Sequence, residues 1–119
     1  MTVMTTRAEP GGRLRALVPA AVDEIVRAAD PVRVILFGSV TRGEDGPDSD
    51  LDFLVVLDDV QPGLQRRRLT REIRRAITVD APVDVFVTDL AESSRRRVVP
   101  GSIHYWPMRE GEVVYERAA

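Results

Sequence analysis

The spacing of apolar residues along the chain predicts helices that alternate with strands. The N-terminal apolar positions recur every three or four residues, which is the period of an α-helix. Pro19 interrupts this pattern but fits the first turn of a helix, so we expect the firm helix to span residues 19–29. Residues 1–12 are small and polar and end in a Pro-Gly-Gly sequence, and we expect them to form a flexible tail ahead of a single domain at 13–119.

The rest of the chain continues this alternation. Residues 51–57 form an apolar run typical of a central strand that is covered on both faces. Thr88 and Asp89 can cap a short helix. The remaining patterns predict strands at 32–37, 83–87 and 112–115, helices at 65–77 and 90–96, a helical segment from about 102 to 109, and a loop at 38–48. We therefore expect an α/β domain.

Composition and charge narrow the class of protein. The 119 residues are 44% apolar, which is enough for one hydrophobic core, and the net charge of −2 argues against a generic nucleic-acid coat protein, which would be basic. The absence of cysteine excludes a disulfide framework, a thiolate zinc site and a cysteine nucleophile. All 17 basic residues are arginine, which excludes Schiff-base and P-loop lysine chemistry. No stretch resembles a signal peptide or a membrane span, so we expect a cytoplasmic protein.

Two aspartates begin the strand predicted at 51–57. Because strand side chains alternate, Asp50 and Asp52 face the same side, with Cα atoms roughly 6–7 Å apart. Two carboxylates at this spacing repel each other unless a positive charge lies between them. Mg²⁺ takes such hard oxygen ligands together with water and phosphate oxygens, so the pair is suited to a Mg²⁺ site. The alternative is an Asp-rich turn exposed to solvent.

A glycine and a serine follow the strand predicted at 32–37. Gly38 lets backbone N–H groups approach an anion closely, and the hydroxyl of Ser39 can donate to a phosphate. A short helix beginning at Ser39 would add a favourable dipole. The alternative is an ordinary turn between a strand and a helix.

A third acid, Asp84, lies in an otherwise apolar strand, where a carboxylate is costly unless it is paired or bound to a metal. If this strand lies beside the strand at 51–57, Asp84 can join Asp50 and Asp52. Three carboxylates can hold the two metal ions that in-line phosphoryl or nucleotidyl transfer needs, and Asp84 could also act as the base. An acid on an edge strand is the alternative.

Together these motifs resemble the signature of the DNA polymerase β-like nucleotidyltransferases. They are most similar to the small stand-alone branch known as minimal nucleotidyltransferases. The resemblance covers residues 14–116, and it is carried by the segments LFGS at 36–39, RG at 42–43, SDLD at 49–52, REG at 109–111 and YE at 115–116. Val40 and Thr41 depart from the smaller residue that the branch often has before the arginine, and Pro107 interrupts a helix that is usually smoother.

The resemblance implies a mixed sheet flanked by helices, Mg²⁺ and a nucleoside triphosphate, usually ATP, whose nucleoside monophosphate is transferred to a hydroxyl. By position, Gly38 and Ser39 would hold the triphosphate, and Asp50, Asp52 and Asp84 would carry two Mg²⁺ ions and the catalytic chemistry. Many members of the branch resemble antitoxins encoded beside a HEPN-type toxin, and characterised examples adenylylate a tyrosine of that toxin. The resemblance therefore implies a HEPN toxin as partner in a hetero-oligomer. Because the predicted elements and the acids use nearly all of the 119 residues, we expect the partner to complete the acceptor site.

Other residues keep two interpretations. Arg42 either pairs with a phosphate or forms an ion pair with a nearby acid, and Ser49 either supports Asp50 at the nucleotide or is a turn residue. The arginines at 66–75 and 95–97 either face solvent or meet an acidic partner or a nucleotide. His104 is expected to be structural or at the surface, and Tyr105 and Trp106 to pack in the core or at an interface.

Two rival functions remain open beside adenylyl transfer to a protein. One is an antitoxin that acts by binding alone, which has no need of three acids. The other is a small-molecule nucleotidyltransferase, which usually needs additional chain to shape an acceptor pocket.

Overall fold

A computed structural model describes residues 12–44, 46–96, 99 and 101–118, with the backbone alone at Met108. Within these residues helices and strands alternate as the apolar pattern predicts, except that two helices follow one another before the last strand. In chain order they are α1 (Gly12–Ala29), β1 (Arg33–Phe37), α2 (Ser39–Arg42), β2 (Leu51–Leu57), α3 (Leu64–Ala76), β3 (Val83–Asp89), α4 (Leu90–Arg96), α5 (Tyr105–Glu110) and β4 (Glu112–Glu116).

The four strands form one mixed sheet in the order β3-β2-β1-β4. β1 pairs antiparallel with both β2 and β4, whereas β2 pairs parallel with β3. The connection between the parallel strands is α3, as a parallel pair requires a crossover. The predicted α/β class, the mixed sheet and the central position of the strand at 51–57 are confirmed.

The two faces of the sheet are covered differently. On one face α1 and α3 pack against each other and against the strands, and the main hydrophobic core lies there, with Ile25, Phe53 and Ile73 among its buried members. On the other face a smaller cluster is built from Ile35, Leu54 and Val56, with Phe37 and Phe86 against it. Since β2 is buried on both faces, its N-terminal end gives rigid support to the residues that immediately precede the strand.

The first helix is longer than its proline suggests. α1 begins at Gly12, so the expected start at Pro19 is wrong and Gly12 belongs to the helix. Leu14 and Val18 are buried, and burying each apolar side chain contributes about 1.5–3 kcal/mol. Their burial offsets the cost of about 3 kcal/mol for a proline inside a helix. Residues 1–11 of the expected tail lie outside the described residues.

α5 begins at Tyr105, three residues after the expected start at about 102, and the other boundaries agree within two residues, with a few informative differences. The region predicted as a loop contains α2, the short helix at Ser39. Asp89 ends β3 and caps α4 as predicted, because its Oδ1 accepts the N–H of Glu92 at 2.9 Å. Trp106 is 55% exposed, so core packing is wrong for this side chain. None of the helices in the described part of the chain is both long and apolar enough to cross a lipid bilayer.

Candidate active site

The parallel pairing of β2 and β3 brings three aspartates together. Asp52 lies directly opposite Asp84 in the register, and Asp50 precedes β2 by one residue. Asp50, Asp52 and Asp84 each offer a carboxylate oxygen, and these oxygens all lie within 4.8 Å of one another. Asp84 does lie on an edge strand, as its alternative interpretation states. The neighbouring carboxylates nevertheless make this acid part of a cluster.

The carboxylates raise the cost of one another's negative charge. Burial, and after it the neighbouring carboxylate of Asp50, raises the pKa of Asp52 to about 7. Burial and then the contact with Asp84 raise the pKa of Asp50 as well. A divalent cation between these oxygens would remove the repulsion, and carboxylate oxygens are the ligands that Mg²⁺ prefers. The donor set therefore fits Mg²⁺.

Gly38 brings the backbone up against this cluster. It has a φ of 89°, which favours glycine, and it precedes the first residue of α2. A Cβ atom at this position would overlap Oδ2 of Asp52. Position 38 therefore requires glycine both for its backbone conformation and for its approach to a carboxylate.

The two serines flank this approach on the loop side. The Oγ of Ser39 donates to the Oγ of Ser49 at 3.2 Å, and the N–H of Gly46 donates to the same Ser49 oxygen at 2.8 Å. Because the N-cap residue of α2 is Gly38, no side chain caps the first turn of this helix. Ser49 thus fastens the turn and lies close to Ser39 at the entrance to β2. A role for Ser49 at the nucleotide stays a prediction.

Arg42 follows the ion-pair alternative in this structure. Its Nε donates to Oε1 of Glu44 at 2.8 Å, and this contact raises the pKa of the guanidinium. The Arg42 side chain is half exposed, at 49%. The negative charge of Asp52 also contributes to its raised pKa, which places Arg42 within the field of the carboxylates. Contact with a phosphate stays a prediction.

Two contacts of α3 have no counterpart in the sequence analysis. Nη1 of Arg74 on α3 lies 3.9 Å from Oδ1 of Asp84. This proximity depends on how α3 docks on β3, and no local signal carries it. The second contact is the ion pair of Arg66 with Glu92, which belongs to a polar network around His104.

His104 is buried, as one of its two interpretations holds. Its Nε2 lies 2.8 Å from Oγ1 of Thr88, which in turn donates to Oε1 of Glu92 at 2.9 Å. Glu92 also forms an ion pair with Arg66 at 2.8 Å. The network therefore joins α3, the end of β3, α4 and the segment before α5. Burial lowers the pKa of His104, so the ring is neutral at pH 7.

Solved structures with a similar fold are described as nucleotidyltransferases or as toxin–antitoxin proteins. A protein from Sulfolobus solfataricus, described as a nucleotidyltransferase, is 20% identical over 96% of this chain and 94% of its own, with a TM-score of 0.64. A protein described as a minimal nucleotidyltransferase is 28% identical over 90% and 98% of the two chains, with a TM-score of 0.53. A toxin–antitoxin structure with AMP-PNP is 20% identical over 82% and 73%, with a TM-score of 0.53.

The sequence itself identifies the family. No curated protein matches the chain. The model of the nucleotidyltransferase domain family matches residues 20–112, which is most of the chain and includes all three aspartates. The resemblance noted from the motifs at 36–39 and 49–52 is thereby confirmed, and the chain belongs to the nucleotidyltransferase domain family.

Proposed function

We propose that this protein is a Mg²⁺-dependent adenylyltransferase that transfers AMP from ATP to a hydroxyl group of a partner protein, as the antitoxin of a toxin–antitoxin pair. Membership of the nucleotidyltransferase family supports nucleotidyl transfer. The observation that carries the proposal is the convergence of Asp50, Asp52 and Asp84, whose oxygens lie within 4.8 Å of one another. A protein that acts only by binding has no use for three mutually repelling acids.

The aspartates have one task in this reaction, and Gly38 and Ser39 have another. Asp50, Asp52 and Asp84 would hold two Mg²⁺ ions, which supply charge neutralisation for the triphosphate and the leaving pyrophosphate. Gly38 admits a phosphate to the backbone beside Asp52, and the hydroxyl of Ser39 is free to turn from Ser49 and donate to a phosphate oxygen.

The bond changes of the transfer balance without another reagent. The acceptor oxygen forms a bond to the α-phosphorus of ATP, and the bond from that phosphorus to the pyrophosphate oxygen breaks. The acceptor proton passes to the carboxylate of Asp84, which is half exposed and therefore reachable from outside. The products are pyrophosphate and a protein that carries AMP.

The toxin partner is supported by two of the similar structures. One is the toxin–antitoxin with AMP-PNP, and another is a mutant of the toxin–antitoxin MntA-HpeT, which is 20% identical with a TM-score of 0.50. The proposed partner of this chain is a HEPN-type toxin, bound in a hetero-oligomer. ATP is the proposed donor.

The test is to mix the protein with Mg-ATP and the product of the neighbouring gene and to measure the intact mass of that product. We expect an increase equal to one AMP group, and we expect Asp50→Ala and Asp52→Ala to abolish it while still binding the partner. Asp23→Ala, an exposed change on α1, is the matched control and should retain full transfer. Neutralisation of the partner by both active-site variants, with no adduct from the unaltered protein, would instead establish an antitoxin that acts by binding.

A further inference from the structure

An arginine-lined groove runs along the outer edge of the sheet beside the carboxylates. Its volume is about 700 Å³. β3 is the last strand of the sheet, and no strand in the described part of the chain pairs with its outer side. The floor of the groove is formed by Val85, Phe86 and Val87, and Ile103 lies on one side. The wall contributed by α3 carries polar side chains, namely those of Arg66, Arg67, Thr70, Arg71, Arg74 and Arg75.

The positive charge of this wall is only partly compensated. Arg66 is paired with Glu92 at 2.8 Å, and Arg74 lies 3.9 Å from Asp84. Arg67, Arg71 and Arg75 form no ion pair with any described residue. α3 has six arginines against one glutamate, so its charge does not cancel along the helix. A ligand for this wall must supply several negative charges.

The spacing of the arginines fits an extended chain. Arg67, Arg71 and Arg75 follow one another at intervals of four residues, which places them along one side of α3 over about 12 Å. Three to four residues of an extended peptide span about the same length. The unpaired outer side of β3 offers backbone N–H and C=O groups to such a peptide, as in recognition by strand addition.

The groove also leads to the site. Arg74 belongs to its wall and lies next to Asp84, whose proposed task is to accept the proton of the acceptor. We propose that this groove binds an acidic, extended segment of the acceptor polypeptide and so delivers the acceptor hydroxyl to Asp84. The inference rests on the proposed function and names the recognition chemistry that the acceptor needs.

A peptide fits this groove better than RNA does. Single-stranded nucleic acid is held by exposed aromatic platforms on which bases stack. The one aromatic residue of the groove, Phe86, is engaged with Phe37, with ring centroids 5.8 Å apart. The net charge of −2 also gives the whole chain no cationic field that would attract a long polyanion. An open strand edge with an apolar floor is instead suited to a polypeptide backbone and its alternating side chains.

The test uses a fluorescein-labelled ten-residue peptide that alternates glutamate with valine. Its matched control has glutamine in place of glutamate, and binding to the full chain is followed by fluorescence anisotropy. We expect the glutamate peptide to bind at least tenfold more tightly than the glutamine peptide, and Arg71→Glu to weaken it at least fivefold. Arg68→Glu makes the same charge change at an exposed position of α3 outside the groove and should alter the affinity less than twofold.

Amide hydrogen exchange locates the bound peptide. We expect slower exchange at residues 85–87 when the glutamate peptide is present. Equal weakening by Arg68→Glu and Arg71→Glu, unchanged exchange at 85–87, or tighter binding of a ten-nucleotide uridine RNA would each overturn the inference. Neither measurement uses ATP, so a protein that binds the peptide as expected but transfers no AMP would contradict only the proposed function.

Once a protein acceptor is in hand, kinetics provide a second readout. Arg71→Glu should raise the KM for that acceptor at least fivefold and leave the KM for ATP unchanged. Unchanged KM for the acceptor, with AMP transfer intact, would overturn the groove and leave the proposed function standing.

Discussion

At the scale of single residues, both the backbone conformation and the contact with Asp52 require glycine at position 38, and mutations can separate the two effects. Gly38 and Gly63 share a positive φ, at 89° and 79°, but a Cβ atom meets the carboxylate of Asp52 only at position 38. We expect Gly63→Ala to cost about 1–2 kcal/mol of unfolding free energy from backbone strain. Gly38→Ala should cost at least about 1 kcal/mol more, since Asp52 must also move. Urea denaturation measures both, and equal losses would contradict the contact.

Asp52 should destabilise the metal-free protein at high pH. Its folded-state pKa of about 7 lies above the ordinary value, so the folded chain binds more protons than the unfolded chain between about pH 4 and 7. Stability therefore falls as pH rises through this window, and the penalty is fully present above it. Asp52→Asn should remove about 1–2 kcal/mol of this penalty at pH 8, which is less than full linkage because solvent screens the partly exposed cluster.

The measurement for Asp52 is the thermal midpoint in EDTA at pH 4.5 and pH 8. We expect the midpoint of Asp52→Asn to exceed that of the unaltered protein at pH 8 and to match it at pH 4.5. Asp23→Asn, on the exposed side of α1, controls for the loss of one charge and should show no such pH dependence. A lower midpoint for Asp52→Asn at pH 8 would show that the carboxylate is stabilising.

Single residues differ in how far the sequence could place them. Asp50 and Asp52 share a face because strand side chains alternate, which is a local rule. Asp84 lies 32 positions beyond Asp52 in the sequence, and it reaches the other two acids only because their strands pair in parallel. The sequence alone could not establish that pairing. The sequence could not single out the contact between Arg42 and Glu44 from other ion pairs of Arg42 with nearby acids. Ion pairs between exposed side chains differ little in free energy, so local sequence does not decide which one forms.

At the scale of elements, packing decides where local propensity is ambiguous. Pro19 predicts a helix start, yet α1 continues back to Gly12 because its first two turns bury Leu14 and Val18. The docking of α3 on β3 likewise creates the contact of Arg74 with Asp84 and the groove wall, and neither can be read from residue order. Periodicity thus locates helices, while the contacts between them need the fold.

The network around His104 should act as a clamp between elements. Its ring contacts Thr88 at the end of β3 and lies 3.9 Å from Glu92 on α4. We expect His104→Ala to lower the free energy of unfolding by about 2–3 kcal/mol, because it leaves a cavity and takes a buried hydrogen-bond partner from Thr88. Ile103→Ala, at an exposed neighbouring position, should cost less than about 1 kcal/mol.

The same clamp has a pH dependence with a definite sign. Burial lowers the pKa of His104, so the folded chain binds fewer protons there than the unfolded chain. Its contribution is complete above about pH 6.5 and is lost as pH falls below that value. In urea melts, the gap between the unaltered protein and His104→Ala should therefore narrow from pH 7.5 to pH 5.5, and a gap that widens would contradict a neutral buried ring.

At the scale of the whole molecule, the carboxylate cluster couples metal binding to global stability. Asp52 and Asp84 lie on different strands that meet only in the folded sheet, so the unfolded chain has no equivalent site. A ligand that binds only the folded state stabilises it by mass action, by about 2.7 kcal/mol at a concentration one hundredfold above its dissociation constant. We therefore expect Mg²⁺ to raise the free energy of unfolding of the unaltered protein at pH 8.

Protons should compete with this stabilisation. Because the pKa values of Asp50 and Asp52 are raised, both carboxylates take up protons at a higher pH than ordinary aspartates and lose affinity for Mg²⁺. Urea melts at pH 8 and pH 5, in 10 mM MgCl₂ or in NaCl of equal ionic strength, measure the effect. The gain from MgCl₂ should be at least about 1 kcal/mol at pH 8, much smaller at pH 5, and absent in Asp52→Asn. An equal gain from NaCl would mean that general screening, rather than a bound ion, relieves the repulsion in the cluster.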